Sequence, residues 1–246
     1  MKIKTSGLVV SAIMAVAVIG VILTLGQTDA FELDKYAVDS QEVFTNLQND
    51  EPVLIVDIRT ANEYRAGHID GAAHDNYSDS STLEKRVTTI QKRLPEIAST
   101  HSIVLVDDDG MKAKQAAQSM TEMGIKTFYL ADGMDVLTEG ITRTSQTTID
   151  SEELMLKIAA NEDLYLLDVR EPDELLKSKI DGAVNIPLAD IFQPNGIDNI
   201  PTDKPVVVIC GSGNRATIAT YALAQEDIDF QILEGGMKAW NSHIQE

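Results

Sequence analysis

The sequence predicts an α/β fold with two domains, each built on a mainly parallel β-sheet flanked by helices. Short apolar runs alternate with helical segments along the chain, which is the pattern of α/β domains. The runs "IVLV" and "VVVIC" are continuously apolar, as expected of strands that helices cover on both faces of a sheet. The same succession of segments occurs twice, and 246 residues is a usual length for two domains.

An internal repeat defines the two domains. The stretch "VDIRTANEYRAGHIDGA" (56–72) aligns without a gap with "LDVREPDELLKSKIDGA" (167–183), and "IVLVDDDGMKA" aligns with "VVVICGSGNRA". The offset between the copies falls from 111 to 103 residues, so the first copy has eight additional residues, which fit within "DNYSDSSTLEKR" (75–86). The polar segment "TRTSQTTIDSEE" separates the copies and predicts domains at 31–143 and 144–246.

Each copy has the same predicted order of elements. A helix ("SQEVFTNLQND", "DSEELMLKIAANED") precedes an apolar strand ("PVLIVDI", "LYLLDV"), and a polar helix or turn then leads to "IDGA". The continuous apolar strand follows, then a helix, then a short strand ("KTFYLA", "DFQILE") that ends at glycine.

The N-terminal segment, 1–30, is predicted to lie outside both domains. Lys2 and Lys4 precede an uncharged stretch whose apolar centre, 8–25, is about long enough to cross a bilayer as a helix. Lysines before this stretch and acids after it place the N-terminus inside and the body outside. We therefore expect a membrane anchor with the globular part on the periplasmic or extracellular side. A signal peptide cleaved after Ala30, which leaves a periplasmic protein, is the alternative.

The composition argues against several classes of function. The formal net charge of −19 disfavours a nucleic-acid partner, because such binders usually present a basic face. The single cysteine excludes an internal disulfide and, with only four scattered histidines, offers no ligand spacing typical of a metal site. We therefore expect neither a metal nor a cofactor.

Cys210 is the candidate catalytic residue. It follows an apolar strand and precedes a helix, which places it at the carboxyl end of a strand, where α/β proteins usually bind ligands. The residues Gly211 to Asn214 can turn several N–H groups inward, and the helix dipole and Arg215 add positive charge, so the loop forms a cradle for an anion. A thiolate would be stabilised there without an adjacent histidine. The alternative is a small buried hydrophobe at a strand end.

Four segments of the second copy resemble the rhodanese-homology family of sulfurtransferases: "DVREPDE", "IDGAVNIP", "CGSGNRA" and "LEGGMKAW", in the family's order and spacing. The resemblance covers both copies, about 35–245. It implies two rhodanese-like domains, each a mainly parallel five-stranded sheet flanked by helices, after an N-terminal apolar helix. The first copy keeps the family's Gly-His pair as Gly67-His68, whereas the second has Ser178 and Lys179 there.

The resemblance also implies a chemistry. In this family the loop cysteine takes a sulfane sulfur from a donor, becomes a persulfide and passes the sulfur to cyanide or a thiol. Cys210 would be this nucleophile, the loop amides would hold the anionic sulfur, and the Arg215 side chain would help to bind an anionic donor. The similar loop of related phosphatases is one residue longer, which makes phosphatase or arsenate reductase activity a lesser alternative. The implied substrate-binding residues are Gly211, Ser212, Gly213, Asn214 and Arg215.

The first copy lacks the nucleophile. Asp107 stands at the position of Cys210, and Lys112 at that of Arg215. An aspartate cannot form a persulfide, but its carboxylate could accept the loop's own N–H bonds and fill the anion site from within. We therefore predict a structural or interface role for this domain. A hard-cation site at the acidic triplet 107–109 is a minor alternative.

The resemblance implies a thiosulfate sulfurtransferase-like enzyme. The donor stays open, because "CGSG" also resembles mercaptopyruvate sulfurtransferases whereas Asn214-Arg215 resembles thiosulfate-using members. The partners of the enzyme would be a small anionic sulfur donor, a thiol or cyanide acceptor that includes protein thiols, and the membrane through the N-terminal segment. Two alternatives stay open, a periplasmic relay of sulfur or thiols and a non-catalytic module that uses the cradle for binding.

Overall fold

The computed structural model describes residues 34–48, 52–77, 80–144, 147–226 and 228–244, which belong to one compact unit. The predicted N-terminal anchor or signal, 1–30, lies outside these residues. Within the described ranges, no helix combines the length and the apolar character that a membrane span requires.

The first domain contains seven strands and five helices within the described residues. The strands are β1 (Ala37–Val38), β2 (Val53–Asp57), β3 (His68–Ile69), β4 (Ala73–His74), β5 (Ser102–Val106), β6 (Thr127–Leu130) and β7 (Ile141–Thr142). The helices are α1 (Ser40–Gln48), α2 (Ala61–Ala66), α3 (Ser80–Arg93), α4 (Pro95–Thr100) and α5 (Met111–Glu122).

The second domain repeats this plan, with several of its elements shorter than their counterparts. Its described strands are β8 (Thr148–Ile149), β9 (Tyr165–Asp168), β10 (Val184–Asn185), β11 (Val206–Ile209) and β12 (Phe230–Leu233). Its helices are α6 (Ser151–Ala159), α7 (Pro172–Leu175), α8 (Leu188–Ile191), α9 (Asn214–Gln225) and α10 (Gly236–His243). Asp150 caps α6 by accepting a hydrogen bond from the Glu153 N–H.

Both domains are built on a five-stranded parallel sheet, which confirms the predicted fold class. The strand order is β1-β6-β5-β2-β4 in the first domain and β10-β9-β11-β12-β8 in the second, and every pairing in the two sheets is parallel. The central strands β5 and β11 are the two continuously apolar runs, and all four residues of β11 are fully buried. A small antiparallel ribbon of β3 and β7 is an addition that the sequence patterns did not predict.

The helix that follows Cys210 joins the two domains. Helix α9 contacts β11 and β12 of its own sheet, and also β2, β4 and α3 of the first domain. Its buried residues, which include Ile218 and Tyr221, belong to an apolar cluster shared with Val56 and Ala73 of the first sheet. Because α9 is buried from both sides, the loop at its N-terminus has a fixed position relative to the first domain.

Candidate active site

Cys210 lies immediately after β11 and before the first turn of α9, at the carboxyl end of the sheet. Its side chain is almost fully buried, with 1% of its surface exposed. The Gly213 N–H donates a hydrogen bond to Cys210 Sγ at 3.1 Å. The first N–H groups of a helix have no partner within the helix, so the amides at the start of α9 are available to an anion beside the sulfur.

The loop is held from behind by the N-terminus of α10. The Met237 N–H donates to the Cys210 carbonyl oxygen at 2.8 Å, and the Lys238 N–H donates to that of Gly211 at 3.1 Å. Gly235 and Gly236 both have positive φ, +63° and +57°, which allows the chain to turn tightly under the loop. The motif "LEGGMKAW" therefore positions the catalytic loop through its backbone, while Met237 and Trp240 are buried in the core.

Arg215 closes the loop with a bidentate ion pair. Its guanidinium donates to Glu174 of α7, with Nη1–Oε2 at 2.5 Å and Nη2–Oε1 at 2.8 Å. The hydrogen bonds from Arg215 lower the pKa of Glu174 to about 2. The same contact raises the pKa of Arg215, so both groups are charged at neutral pH. The Arg215 guanidinium is therefore already paired with a carboxylate at the edge of the loop.

A second buried pair fixes the end of β9. Arg170 is bidentate with Asp168 and also donates from Nη2 to the Ser178 carbonyl oxygen at 2.9 Å. In the first domain, Arg59 makes the same contacts with Asp57 and the Gly67 carbonyl oxygen. A backbone carbonyl accepts this bond in both copies, which explains why the second copy tolerates Ser178 where the family has glycine.

The remaining predicted loop residues differ in their surroundings. Ser212 is exposed, and Gly213 has φ of +97° with no atom within 4 Å of the position that a Cβ would take. Gly213 therefore serves the turn through its positive φ, and not because a side chain at this position would collide with its surroundings. Asn214 bonds to the first domain instead, through the side chains of Arg86 and Thr89.

In the first domain, Asp107 fills its own anion site. Its carboxylate accepts three backbone N–H bonds, from Gly110 at 2.7 Å, Lys112 at 2.8 Å and Ala113 at 3.1 Å. This is the internal occupation that the sequence suggested. Lys112 does not reproduce the pair made by Arg215, because its Nζ donates to the Ile58 carbonyl oxygen.

The acidic triplet does not converge on one point. Asp108 lies 3.5 Å from the Arg59 guanidinium, and Asp109 accepts a bond from the Met111 N–H. Among the described residues, no group of three or more His, Cys, Asp or Glu side chains is arranged to hold a metal ion.

Sequence reasoning missed Glu174 and the contacts of Asn214. Glu174 could have been found, because "REPDE" and "RTANE" place a glutamate, Glu174 or Glu63, at the same position of both copies. Glu63 bonds to Thr60 instead, in a domain that has no arginine at the loop position. The partners of Asn214 lie more than 120 residues away and left no signal in the sequence.

The ion pair of Glu174 predicts an acid-dependent contribution to stability. Its pKa is about 2 in the folded protein and 4.5 ordinarily, so the contribution is fully present above pH 4.5 and is lost as the pH falls towards 2. We expect Glu174→Gln to lower the free energy of unfolding by about 1 kcal/mol at pH 7, since solvent partly screens the pair at the side of Glu174, whose side chain is 31% exposed. The difference from the wild type should shrink between pH 4.5 and 2 in urea unfolding. A difference that stays constant over this range, or one that Glu152→Gln at an exposed position of α6 reproduces, would contradict the assignment.

The chain is similar to proteins named as sulfurtransferases. A putative sulfurtransferase of Bacillus subtilis, YtwF, is 39% identical over 92 residues, which are 37% of this chain and 87% of the relative. A sulfurtransferase of Allochromatium vinosum is 38% identical over 96 residues, 39% of this chain and 88% of the relative. The crystal structure of a Pseudomonas aeruginosa thiosulfate sulfurtransferase is 19% identical, covers 85% of this chain and 43% of its own, and superposes with a TM-score of 0.36.

The family described as the rhodanese-like domain matches two segments, residues 40–139 and 150–243. These segments contain the two parallel sheets, with the Asp107 loop in the first and the Cys210 loop in the second. The chain therefore belongs to the rhodanese family and carries two rhodanese-like domains in tandem.

Proposed function

We propose that the protein is a sulfurtransferase that moves a sulfane sulfur from thiosulfate, or a related anionic donor, to a thiol or cyanide through a persulfide on Cys210. The observation that carries this proposal is the buried Cys210 thiol at the N-terminus of α9, with the Gly213 N–H 3.1 Å from the sulfur. Membership of the family and the sulfurtransferase names of the relatives support sulfur transfer in general.

The proposed reaction has two balanced steps. The Cys210 thiolate attacks the outer sulfur of thiosulfate, a new S–S bond forms, and sulfite leaves with the electron pair of the bond that breaks. Cyanide or a thiolate then attacks the outer persulfide sulfur. Thiocyanate or a new persulfide is released, and Cys210 regains its thiolate. No external oxidant or reductant is needed.

The loop supplies stabilisation for the charge that moves between these species. Asp107 indicates where an anion lies in such a loop, because three N–H groups converge on its carboxylate. The alignment of the copies places the N–H groups of Gly213, Arg215 and Ala216 at the equivalent positions in the second domain. These donors would hold the outer persulfide sulfur or an oxygen of the donor.

Intact-protein mass spectrometry of the full-length chain tests the proposal. After incubation with thiosulfate, or separately with mercaptopyruvate, we expect a gain of one sulfur atom that cyanide removes. Protein whose thiol has first been blocked with iodoacetamide is the control, and Cys210 is the only thiol in the chain. No gain with either donor, in protein that iodoacetamide still alkylates, would reject the proposal and favour a relay or a binding module.

A further inference from the structure

Helix α3 of the first domain faces the catalytic loop with a row of polar side chains. Arg86, Thr89 and Arg93 follow one another at intervals of three and four residues, which places them on one face of the helix. All three contact the second domain. A different face of α3 buries Leu83, Val87 and Ile90 in the core.

The first contact of this row is with the loop itself. Arg86 Nη1 donates to Asn214 Oδ1, and Asn214 Nδ2 donates to Thr89 Oγ1 at 2.7 Å. Both polar ends of the Asn214 side chain are therefore bound by α3. Asn214 is the first residue of α9 and directly precedes Arg215, so its orientation sets that of the first amides of the helix.

Arg86 is itself held rigidly. Its guanidinium is bidentate with Asp75, at 2.5 and 2.8 Å, and the two side chains are only 11% and 2% exposed. Tyr221 of α9 donates to the same carboxylate at 2.5 Å, and its hydroxyl lies 3.1 Å from that of Tyr77. Burial disfavours the charged form of Arg86. The hydrogen bonds that Arg86 donates to the Asp75 carboxylate outweigh this effect and keep the pKa of Arg86 above its ordinary value.

The last residue of the row contacts the other side of the site. Arg93 pairs with Glu171, which caps α7. Helix α7 carries Glu174, the partner of Arg215. One helix of the first domain thus contacts both segments that form the loop and its ion pair.

Part of this contact lies in the stretch that accommodates the additional residues of the first copy. Asp75, Tyr77 and Arg86 all fall within the stretch 75–86 that contains the eight-residue excess over the second copy. In the second domain, the four-residue helix α8 follows β10, whereas the fourteen-residue helix α3 follows β4 in the first. The feature that distinguishes the cysteine-less copy is therefore the one that reaches the active site of the other.

We propose that Arg86 and Thr89 are positioning residues for sulfur transfer: they orient Asn214 and thereby the amides of the Cys210 loop. The proposal rests on the function proposed above, and it gives the first domain a role in catalysis without a nucleophile of its own. The pair with Asp75 fixes the Arg86 side chain, and the bond from Arg86 to Asn214 in turn fixes the start of the α9 helix.

Conservative variants test the proposal in the full-length protein. Thr89→Val removes the hydroxyl that accepts a hydrogen bond from Asn214, at nearly constant side-chain volume. Arg86→Lys keeps the positive charge beside Asp75 but loses the planar guanidinium that bonds to Asp75 and Asn214 at the same time. We expect each to lower kcat/KM for thiosulfate by about three- to tenfold through misplaced amides. The rate of Cys210 alkylation by iodoacetamide at pH 7 should fall in both, because the displaced amides no longer meet the sulfur as they do in the wild type. Thr89→Ser, which keeps the hydroxyl, and Thr88→Val on the exposed face of α3 should match the wild type.

The same substitutions of Thr89 and Arg86 are then made in a protein that also carries Asn214→Ala. If Thr89 and Arg86 act through Asn214, neither variant should change kcat/KM or the alkylation rate further once that side chain is absent. Equal effects with and without Asn214, or a lower melting temperature with unchanged kinetics and alkylation, would overturn the proposal. The alkylation rate does not depend on sulfur transfer. Slower alkylation in the variants, with no sulfur transfer by the wild type, would therefore reject the proposed function while showing that Arg86 and Thr89 orient the Cys210 loop.

Discussion

Replacing Cys210 by serine is expected to reduce sulfur transfer from thiosulfate to cyanide by at least about 10³-fold. A hydroxyl is a far weaker nucleophile at neutral pH than a thiolate, and it cannot carry the sulfur as a persulfide. Cys210 is the only cysteine of the chain, so no other thiol can restore the path. The measurement is the rate of thiocyanate formation by the full-length variant at saturating donor.

The buried position of Cys210 makes folding the necessary control for this variant. Serine is similar in size to cysteine, and its hydroxyl oxygen can accept the hydrogen bond that the Gly213 N–H donates to the Cys210 sulfur. We expect urea unfolding to change by less than about 1 kcal/mol. Turnover within tenfold of the wild type, in a correctly folded Cys210→Ser protein, would show that the persulfide route is wrong.

Substitution of Gly236 by alanine is expected to damage both stability and activity. Its φ is +57°, and an added Cβ would collide with the Cys210 carbonyl oxygen and lie 2.8 Å from Gly211 C and Ser212 N. These are backbone atoms of the catalytic loop, so either the loop or α10 must move. We expect the free energy of unfolding to fall by more than about 3 kcal/mol. We also expect kcat/KM to fall by at least about tenfold, because the loop is displaced.

Gly182→Ala provides a matched control for this prediction. Gly182 has φ of +82°, but no atom lies within 4 Å of the position of an added Cβ. The substitution carries the conformational strain without the collision, and we expect a loss of about 1 kcal/mol with unchanged kinetics. Urea unfolding and steady-state kinetics of both variants separate the two effects. Equal losses for both would mean that α10 does not brace the loop.

The sequence predicted the framework because its signals are local. The repeat and the continuously apolar strands β5 and β11 predicted two parallel sheets, and the Gly-rich turn after β11 predicted the position of Cys210. The replacement of cysteine by Asp107 predicted a filled anion site, because carboxylate oxygens and free N–H groups pair by simple chemistry. These inferences needed only residues close in the chain or aligned between the copies.

The contacts between the domains could not be predicted in this way. The apolar faces of α9 do not indicate which second sheet covers them, and nothing in the sequence pairs Asn214 with Thr89. The excess of eight residues in the first copy was visible, but its place against the other domain depends on the packing of the whole chain. The pair between Glu174 and Arg215 spans 41 positions and is set by the curvature of the loop.

Asp107 also affects how many anions the two loops of one chain can exchange with solvent. The carboxylate that occupies the first loop is bonded covalently to the chain, so competing anions such as sulfite cannot displace it by mass action. Under the proposed function, the two homologous loops therefore give one exchangeable anion position per chain. The donor, the persulfide and the released anion would all pass through the Cys210 loop, while the loop of the first domain keeps the same carboxylate bonded to its amides.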